Sequence, residues 1–460
     1  MNHFSIPLIL LLIALVTFQC QEAPIKKAFK ELPPEVVETI EKRINEDATP
    51  SIAIAVIDST GIHYHNFGKT AVDGKAVDEN TIYEIGSISK AFTAILLAQQ
   101  VLDGKLKLDD EINSFLPDNI KVPVMGDTEI TFGNLTDHTS GLPRMPDNFA
   151  PANPSNPFAD YTEDQMYEFI SNYQPVREVG AEYEYSNIAQ GLLGHLLAMN
   201  ANNTYEELMV QTIAIPLKME DTRIRMTDRM KENLALGHSG GSVVENWDIP
   251  TLAGAGAIRS STSDMAKFIS ANLGYVTNPL AEAMELTHNP RHQKAGEMGV
   301  GMGWHIKKGG NGDVIWHNGG TGGYRTFAGF VKETGIGVVL LTNSSTGSDD
   351  IGFYLLDPSS ELADVKFKGD AIDIPESTLE QYVGTYELSP EFKISITKEG
   401  NQLFGQPTGQ ERAEIYPEND PLFYLTIIPA KISFQLKDGA VESLTLIQGG
   451  KEMLGKRIDE

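Results

Sequence analysis

Apolar positions along the chain switch between two periods, and the switches outline a fold. After Pro33 and Pro34, where a helix would start, Val37, Ile40 and Ile44 recur at helical spacing. Ser51 to Asp58 (SIAIAVID) then alternates as a strand does, and DSTG turns it into a second strand, GIHYHNFG. From Lys90 a strong helical pattern runs through AFTAILLAQQVLD to Gly104, a helix-terminating residue. Between about Asp109 and Trp247 the pattern breaks into loops and prolines with short helices between. Ser261-Thr-Ser-Asp264 is a helix start, a capping serine with an acid three residues on. Two strands follow, YRTFAGFV and GIGVVLLTN, joined by KETG. One hairpin at each end with helices between predicts an α+β domain. Its antiparallel sheet joins the two ends of the sequence, with helices flanking it and a helical, loop-rich subdomain beside it.

The pattern changes again after about Asp350. LEQYVGTYEL, FKISITKEG and PAKISFQLKDG read as short alternating strands broken by glycine turns, with no helix, and predict a separate small all-β domain. At the other end, Ile6 to Phe18 is almost wholly apolar, long enough for the core of a signal peptide and too short to span a bilayer. The expected division is a signal peptide over 1–20, a catalytic domain over 21–350, a linker over 351–376 and the β domain over 377–460.

Composition narrows the function. A length of 460 residues implies two or three domains, and 41% hydrophobic residues with 24 scattered prolines describe a folded chain. A formal charge of −27 excludes nucleic acid and anionic lipid as partners. The one cysteine, Cys20, directly follows the apolar run, so the rest of the chain has no disulfide, cysteine nucleophile or thiolate metal site. His63 and His65 share a strand face but lack a third ligand, and read as surface. No metal or organic cofactor is implied, and the oligomeric state is left open.

The chemistry-bearing stretch is YEIGSISKAF, with Ser87 and Lys90 at the head of the strong helix. Residues three apart share a helix face, so the lysine amine can meet the serine hydroxyl inside an apolar shell. A lysine removed from water loses its preference for the charged form and can take a proton. Ser395-Ile-Thr-Lys398 has the same spacing in a strand, where residues three apart point to opposite faces. Two further signals follow in order, Tyr185-Ser-Asn187 before an apolar helix and His317-Asn318-Gly319-Gly320 leading into a strand. Each has decoys, Tyr64-His-Asn66 and His238-Ser-Gly240. A rival serine is Ser239 in GHSGG, which fits the G-x-S-x-G elbow of α/β-hydrolases but lacks the strand and helix that motif needs.

S-x-x-K, Y-x-N and a basic residue followed by x-Gly, in that order, resemble the signature of the serine β-lactamase and penicillin-binding protein superfamily. The likeness is strongest to its class C branch, with D-alanyl-D-alanine carboxypeptidases, D-amino-acid peptidases and esterases. EIGSISKAFTA, GKLKLDDEINSFLP, LTDHTSGLP, YEYSNIAQGLLG, AGAGAIRSSTSDMAKF and GMGWHI are similar to family segments, over about residues 35 to 345. The final domain resembles the small lipocalin-like module that often follows such hydrolases. The resemblance implies a β-lactamase/transpeptidase-like fold with Ser87 as nucleophile, Lys90 as its proton partner and Tyr185 as base or proton shuttle. Asn187 would hydrogen-bond Lys90 and the substrate amide, and the N–H groups of Ser87 and Gly320 would form the oxyanion hole. Which of Lys90 and Tyr185 takes the first proton is open. The tyrosine could do so only with positive charge from Lys90 favouring its phenolate. His317 and Asn318 stand where β-lactamases usually carry lysine and threonine, and histidine there occurs in the peptidase and esterase branches. Cys20 resembles the lipidated cysteine of a bacterial lipoprotein, the single route to a membrane.

The expected protein is therefore an exported serine acyl hydrolase, periplasmic or lipid-anchored, acting on a D-amino-acid peptide, short ester or β-lactam-like substrate. The alternatives are a true β-lactamase, a non-catalytic binding or sensor protein on the same fold, and an α/β-hydrolase using Ser239.

Overall fold

A computed structural model describes residues 29–458, apart from 46–48, 294–297, 364–365, 390–391, 409–411, 427–429, 438 and 449–450. The apolar run at 6–18 and Cys20 lie outside the described residues. The helix expected after Pro33 spans Pro34–Asn45, with proline at its first position, where no amide donor is needed. The strands of the main sheet lie in the order Gly61–Gly68, Ser51–Asp58, Ile336–Thr342, Arg325–Val331, Gly312–Gly320, His305–Gly309, Met298–Val300 and His292–Gln293. Every neighbouring pair is antiparallel, and Ile54 faces Leu340 where the two ends of the sequence meet.

The two-residue period divides the side chains between two cores. From Ser51–Asp58, Ala53, Ala55 and Ile57 enter the larger core, with Phe92, Ile95 and Phe268 of the helices Ser89–Leu102 and Thr262–Asn272. Ile52, Ile54 and Val56 enter the other, with Val36 and Ile40 of the first helix and Ile351 and Leu355 of the helix Asp349–Leu356. Helices thus cover both sheet faces, which is why SIAIAVID is buried along its whole length. Ser261 caps Thr262–Asn272 by accepting from the Asp264 amide, as its sequence predicts. The helix Asp349–Leu356 straddles the expected domain end at 350 and packs on the sheet; the sequence offered no helix there.

Residues 384–458 form a closed barrel of eight strands, each paired antiparallel to the next, with the last strand returning to the first at Thr385 and Ile458. LEQYVGTYEL, read as one strand, divides in two. Glu376–Tyr382 is a helix and Gly384–Ser389 the first barrel strand. Leu379 and Tyr382, three apart on that helix, are buried with Ile394, Ile432 and Phe434, so burial of one helical face overrides the short alternating pattern. The connection between the domains touches the first helix, where Lys42 pairs with Asp370 at 3.2 Å.

Candidate active site

Ser87 sits in the single 3₁₀ turn Gly86–Ile88 that opens into the helix Ser89–Leu102. Neither helical start takes a side-chain cap, so the Ser87 hydroxyl is not spent on the backbone. Lys90, one turn on, is fully buried. Its Nζ lies 3.0 Å from Ser87 Oγ, 2.9 Å from Asn187 Oδ1 and 2.7 Å from the Ala255 carbonyl oxygen. Burial pushes the Lys90 amine well below the ordinary lysine value, and the Arg144 guanidinium pushes it the same way.

Tyr185 and Asn187 come from the other side of the cleft. Ser186 caps the helix Asn187–Asn200, accepting from the Ala189 amide at 3.0 Å, which leaves Asn187 as the first helical residue and Tyr185 in the loop before it. The Lys90 amine is 4.8 Å from the Tyr185 ring centre and the Arg144 guanidinium 5.1 Å. Burial nevertheless pushes the Tyr185 phenol up to about 12, against smaller opposing effects of its hydrogen bond with Ser87 and of Arg144. The amine is shifted toward its neutral form and the phenol is held protonated.

The strand Gly312–Gly320 brings the third signal alongside. Thr326 Oγ1 donates to the Ile85 carbonyl at 2.9 Å, tying the sheet to the turn before Ser87. A Cβ on Gly319 would collide with that same carbonyl, and one on Gly86 (φ +52°) would lie 2.6 Å from the Gly320 amide nitrogen. Glycine is required at both positions for the strand to approach the serine turn. His317 is buried, and its Nδ1–H donates to the Asn318 carbonyl at 2.5 Å. Burial first, then His305 and Lys90, hold its imidazole well below the ordinary histidine value, so it is neutral. Asn318 departs from expectation. Successive strand residues face opposite ways, and its amide Nδ2 donates to Asp349 Oδ2 at 2.6 Å, so this donor is engaged within the protein.

Ser87, Asn187, Gly256 and Gly320 line one small cleft with an apolar wall of Phe158, Trp247, Ile249 and Leu252. Sequence reading missed this wall and the Ala255 carbonyl. AGAGAI was read as part of a family-like segment with no role for its carbonyls, and Trp247 lay at the end of a stretch read as loop. Ser239 is elsewhere. GHSGG forms a tight hairpin, His238–Ser239 with Ser242–Val243, turning at Gly240 (φ 56°) and Gly241 (φ 77°). Ser239 is exposed, and its Oγ accepts from the Ser345 hydroxyl at 3.2 Å. The decoy Ser395 lies in the barrel strand Phe392–Glu399, and Lys398 pairs with Glu376 and Glu380. His63 lies against Asp58 and Thr60, and His65 against the Phe29 carbonyl. Among the described residues no group of three or more His, Cys, Asp or Glu side chains is arranged to hold a metal.

A buried lysine against a helix-head serine, on an antiparallel sheet covered by helices, defines a serine hydrolase. The chain belongs to the Beta-lactamase family, whose model matches residues 36–356, within the serine β-lactamase and penicillin-binding protein superfamily. Residues 368–457 match a domain of unknown function, DUF3471. A β-lactamase of Pseudomonas fluorescens is 29% identical over 344 residues, 67% of this chain and 92% of that protein. The D-alanyl-D-alanine-carboxypeptidase/endopeptidase AmpH of Escherichia coli (strain K12) is 27% identical over 311 residues, 64% of this chain and 79% of its own. The octameric penicillin-binding protein homologue from Pyrococcus abyssi shares the fold across both domains, with a TM-score of 0.63 at 23% identity over 92% of this chain and 99% of that one.

Proposed function

We propose that the protein is an exported serine acyl hydrolase that cleaves short esters or D-amino-acid peptides through an acyl-enzyme on Ser87. The observation that carries this reading is the set of neighbours around Lys90. Asn187 Oδ1 and the Ala255 carbonyl can only accept hydrogen bonds, whereas the Ser87 hydroxyl can donate. A neutral amine has two N–H groups and one lone pair. Its two hydrogens go to Asn187 and Ala255, which leaves the lone pair facing the Ser87 hydroxyl 3.0 Å away.

From that arrangement Lys90 takes the Ser87 proton as Oγ attacks the substrate carbonyl carbon. The amides of Ser87 and Gly320 receive the developing oxyanion. As the bond to the leaving group breaks, the leaving atom takes the Tyr185 proton, and the phenol is restored from the Lys90 ammonium. Water then hydrolyses the acyl-enzyme. Tyr185, protonated to about 12, is suited to giving a proton and not to taking the first one. Asn187 orients the amine and contacts the substrate amide. The relatives named as a carboxypeptidase/endopeptidase and as a β-lactamase support acyl chemistry of this kind. The neutral His317 offers no permanent charge to a β-lactam carboxylate, and the Asn318 amide is already held by Asp349. Penicillins are therefore expected to acylate Ser87 slowly at best. Export rests on the apolar run at 6–18, with Cys20 as the proposed lipid anchor.

Fluorophosphonate treatment with the adduct located by mass spectrometry tests the nucleophile. Labelling is expected at Ser87, and an adduct at Ser239 or none at all would overturn the mechanism. Parallel kinetics on a chromogenic cephalosporin and p-nitrophenyl butyrate test the substrate. A kcat/KM well above the ester's, at ~10⁶ M⁻¹s⁻¹ or more on the cephalosporin, would make the protein a true β-lactamase.

A further inference from the structure

Tyr185 must deliver a proton to a defined point, yet it belongs to neither helix nor strand. Its position is set by the residue that holds its two chain neighbours. The Glu184 amide donates to the His138 carbonyl oxygen at 2.9 Å, and the Ser186 amide donates to His138 Nδ1 at 3.1 Å. The His138 ring lies against the Tyr185 ring itself, centres 4.7 Å apart and planes 31° apart. One residue thus grips the backbone on both sides of the tyrosine and packs on its ring.

His138 adopts φ +62°, in the left-handed region, where an ordinary side chain costs about 1 kcal/mol or more relative to glycine. It is buried, and the adjoining loop carries the rest of the seat. Ser186 Oγ donates to the Pro143 carbonyl at 2.6 Å and the Asn187 amide to the Arg144 carbonyl at 2.9 Å. A glycine would satisfy the backbone conformation but would supply neither the acceptor for the Ser186 amide nor the ring against Tyr185.

We infer that His138 is a positioning residue that sets the Tyr185 hydroxyl at the leaving-group atom, and that it governs the proton-donating half of acylation without touching substrate. This rests on the role proposed for Tyr185 above. A proton donor matters in proportion to how poor the leaving group is. A p-nitrophenolate leaves without a proton, whereas methoxide does not, so the two esters of one acid separate loss of proton delivery from general damage.

The test compares kcat/KM for p-nitrophenyl butyrate and methyl butyrate in the full-length enzyme and in His138→Asn, His138→Gly, Tyr185→Phe and the His138→Asn/Tyr185→Phe double variant. Asparagine keeps tolerance of the left-handed backbone and an acceptor for the Ser186 amide while removing the ring. General-acid contributions are typically 10²–10⁴-fold. Tyr185→Phe should therefore lose at least 10²-fold more on methyl butyrate than on p-nitrophenyl butyrate. His138→Asn should show the same bias at about tenfold, His138→Gly a larger one, and the double variant no more than Tyr185→Phe alone. Equal losses on both esters in the His138 variants, or a double variant in which the two losses multiply, would overturn the inference and leave a structural residue. So would failure of both single His138 variants to fold, read by thermal melting. No leaving-group bias in Tyr185→Phe would instead refute the role proposed for Tyr185.

Discussion

If Lys90 is the base that activates Ser87, the pH dependence of acylation carries its signature. Lys90 acts only when neutral, so kcat/KM should climb with pH, tenfold per unit, while the amine is mostly protonated. It should level off once the pH passes the amine's own pKa. Burial places that point below the ordinary lysine value of 10.5. If Tyr185 were the base, the same profile would track the phenol, at about 12. At pH 7 that is some five pH units short, so only ~10⁻⁵ of the molecules would carry a phenolate, a cost of about 7 kcal/mol at 1.36 kcal/mol per unit. Initial rates on p-nitrophenyl butyrate between pH 5 and 11, corrected for spontaneous hydrolysis, distinguish the two. The expected curve bends to a plateau before pH 10.5, and Lys90→Ala falls by at least 10²-fold at the plateau without restoring a bend. A wild-type profile that keeps rising with unit slope past pH 10.5, or a Lys90→Ala enzyme retaining most of its activity, would refute the neutral-lysine mechanism.

The remaining predictions concern single contacts. Ser87→Ala should abolish ester turnover with its melting temperature preserved, whereas Ser239→Ala, changed at an exposed hairpin, should keep wild-type kcat/KM. Gly319→Ala places a methyl group against the Ile85 carbonyl and should lower kcat/KM by at least tenfold through displacement of the serine turn, checked against the urea midpoint. Arg43, 1% exposed, donates to Asp350 through its two terminal guanidinium nitrogens at 3.0 and 2.6 Å, so Arg43→Ala should cost about 3 kcal/mol in urea unfolding. A chain ending at Pro358 should fold and hydrolyse small esters without the barrel. One ending at Thr346, which loses the helix Asp349–Leu356 and with it Ile351, Leu355 and the Arg43 partner, should not fold.

Half of the main sheet, the two hairpins at its sequence ends, was legible because those four strands are strongly periodic, whereas the four strands between His292 and Gly320 were not read from the pattern. SIAIAVID, YRTFAGFV and GIGVVLLTN occupy the strands their pattern predicts, and the helix after Ser87 needed only its unbroken apolar face. The site was legible for a different reason. Ser87, in the 3₁₀ turn, and Lys90, in the first turn of the helix that continues it, are three residues apart, so their meeting is local geometry. The Ala255 carbonyl, Trp247 and the two amides held by His138 were not, because they reach the site through tertiary contacts that leave no periodic trace. The Asn318 contact was not legible, because the pattern put His317 to Gly320 ahead of a strand whereas they end the strand Gly312–Gly320, and it gave no sign of Asp349 on the packed helix beyond. The helix Glu376–Tyr382 was missed because seven residues ending in Tyr382 look like a strand until their buried face meets the barrel.

The pairing of Ser51–Asp58 with Ile336–Thr342 bears on how the chain reaches its folded state. The centre of the sheet joins segments separated by most of the catalytic domain, so the core around Ala53, Val339 and Leu341 cannot close until residue 342 has been synthesised. The local hairpin with Gly61–Gly68 satisfies one edge of Ser51–Asp58, but its other edge and both of its apolar faces must wait for Ile336–Thr342, and such high contact order slows folding and favours aggregation. The barrel is the opposite case. Seven of its eight strand pairings join neighbours in sequence, and only Thr385 with Ile458 spans the whole unit. The barrel therefore closes through mostly local pairings, whereas the sheet of the catalytic domain closes only through its most distant one.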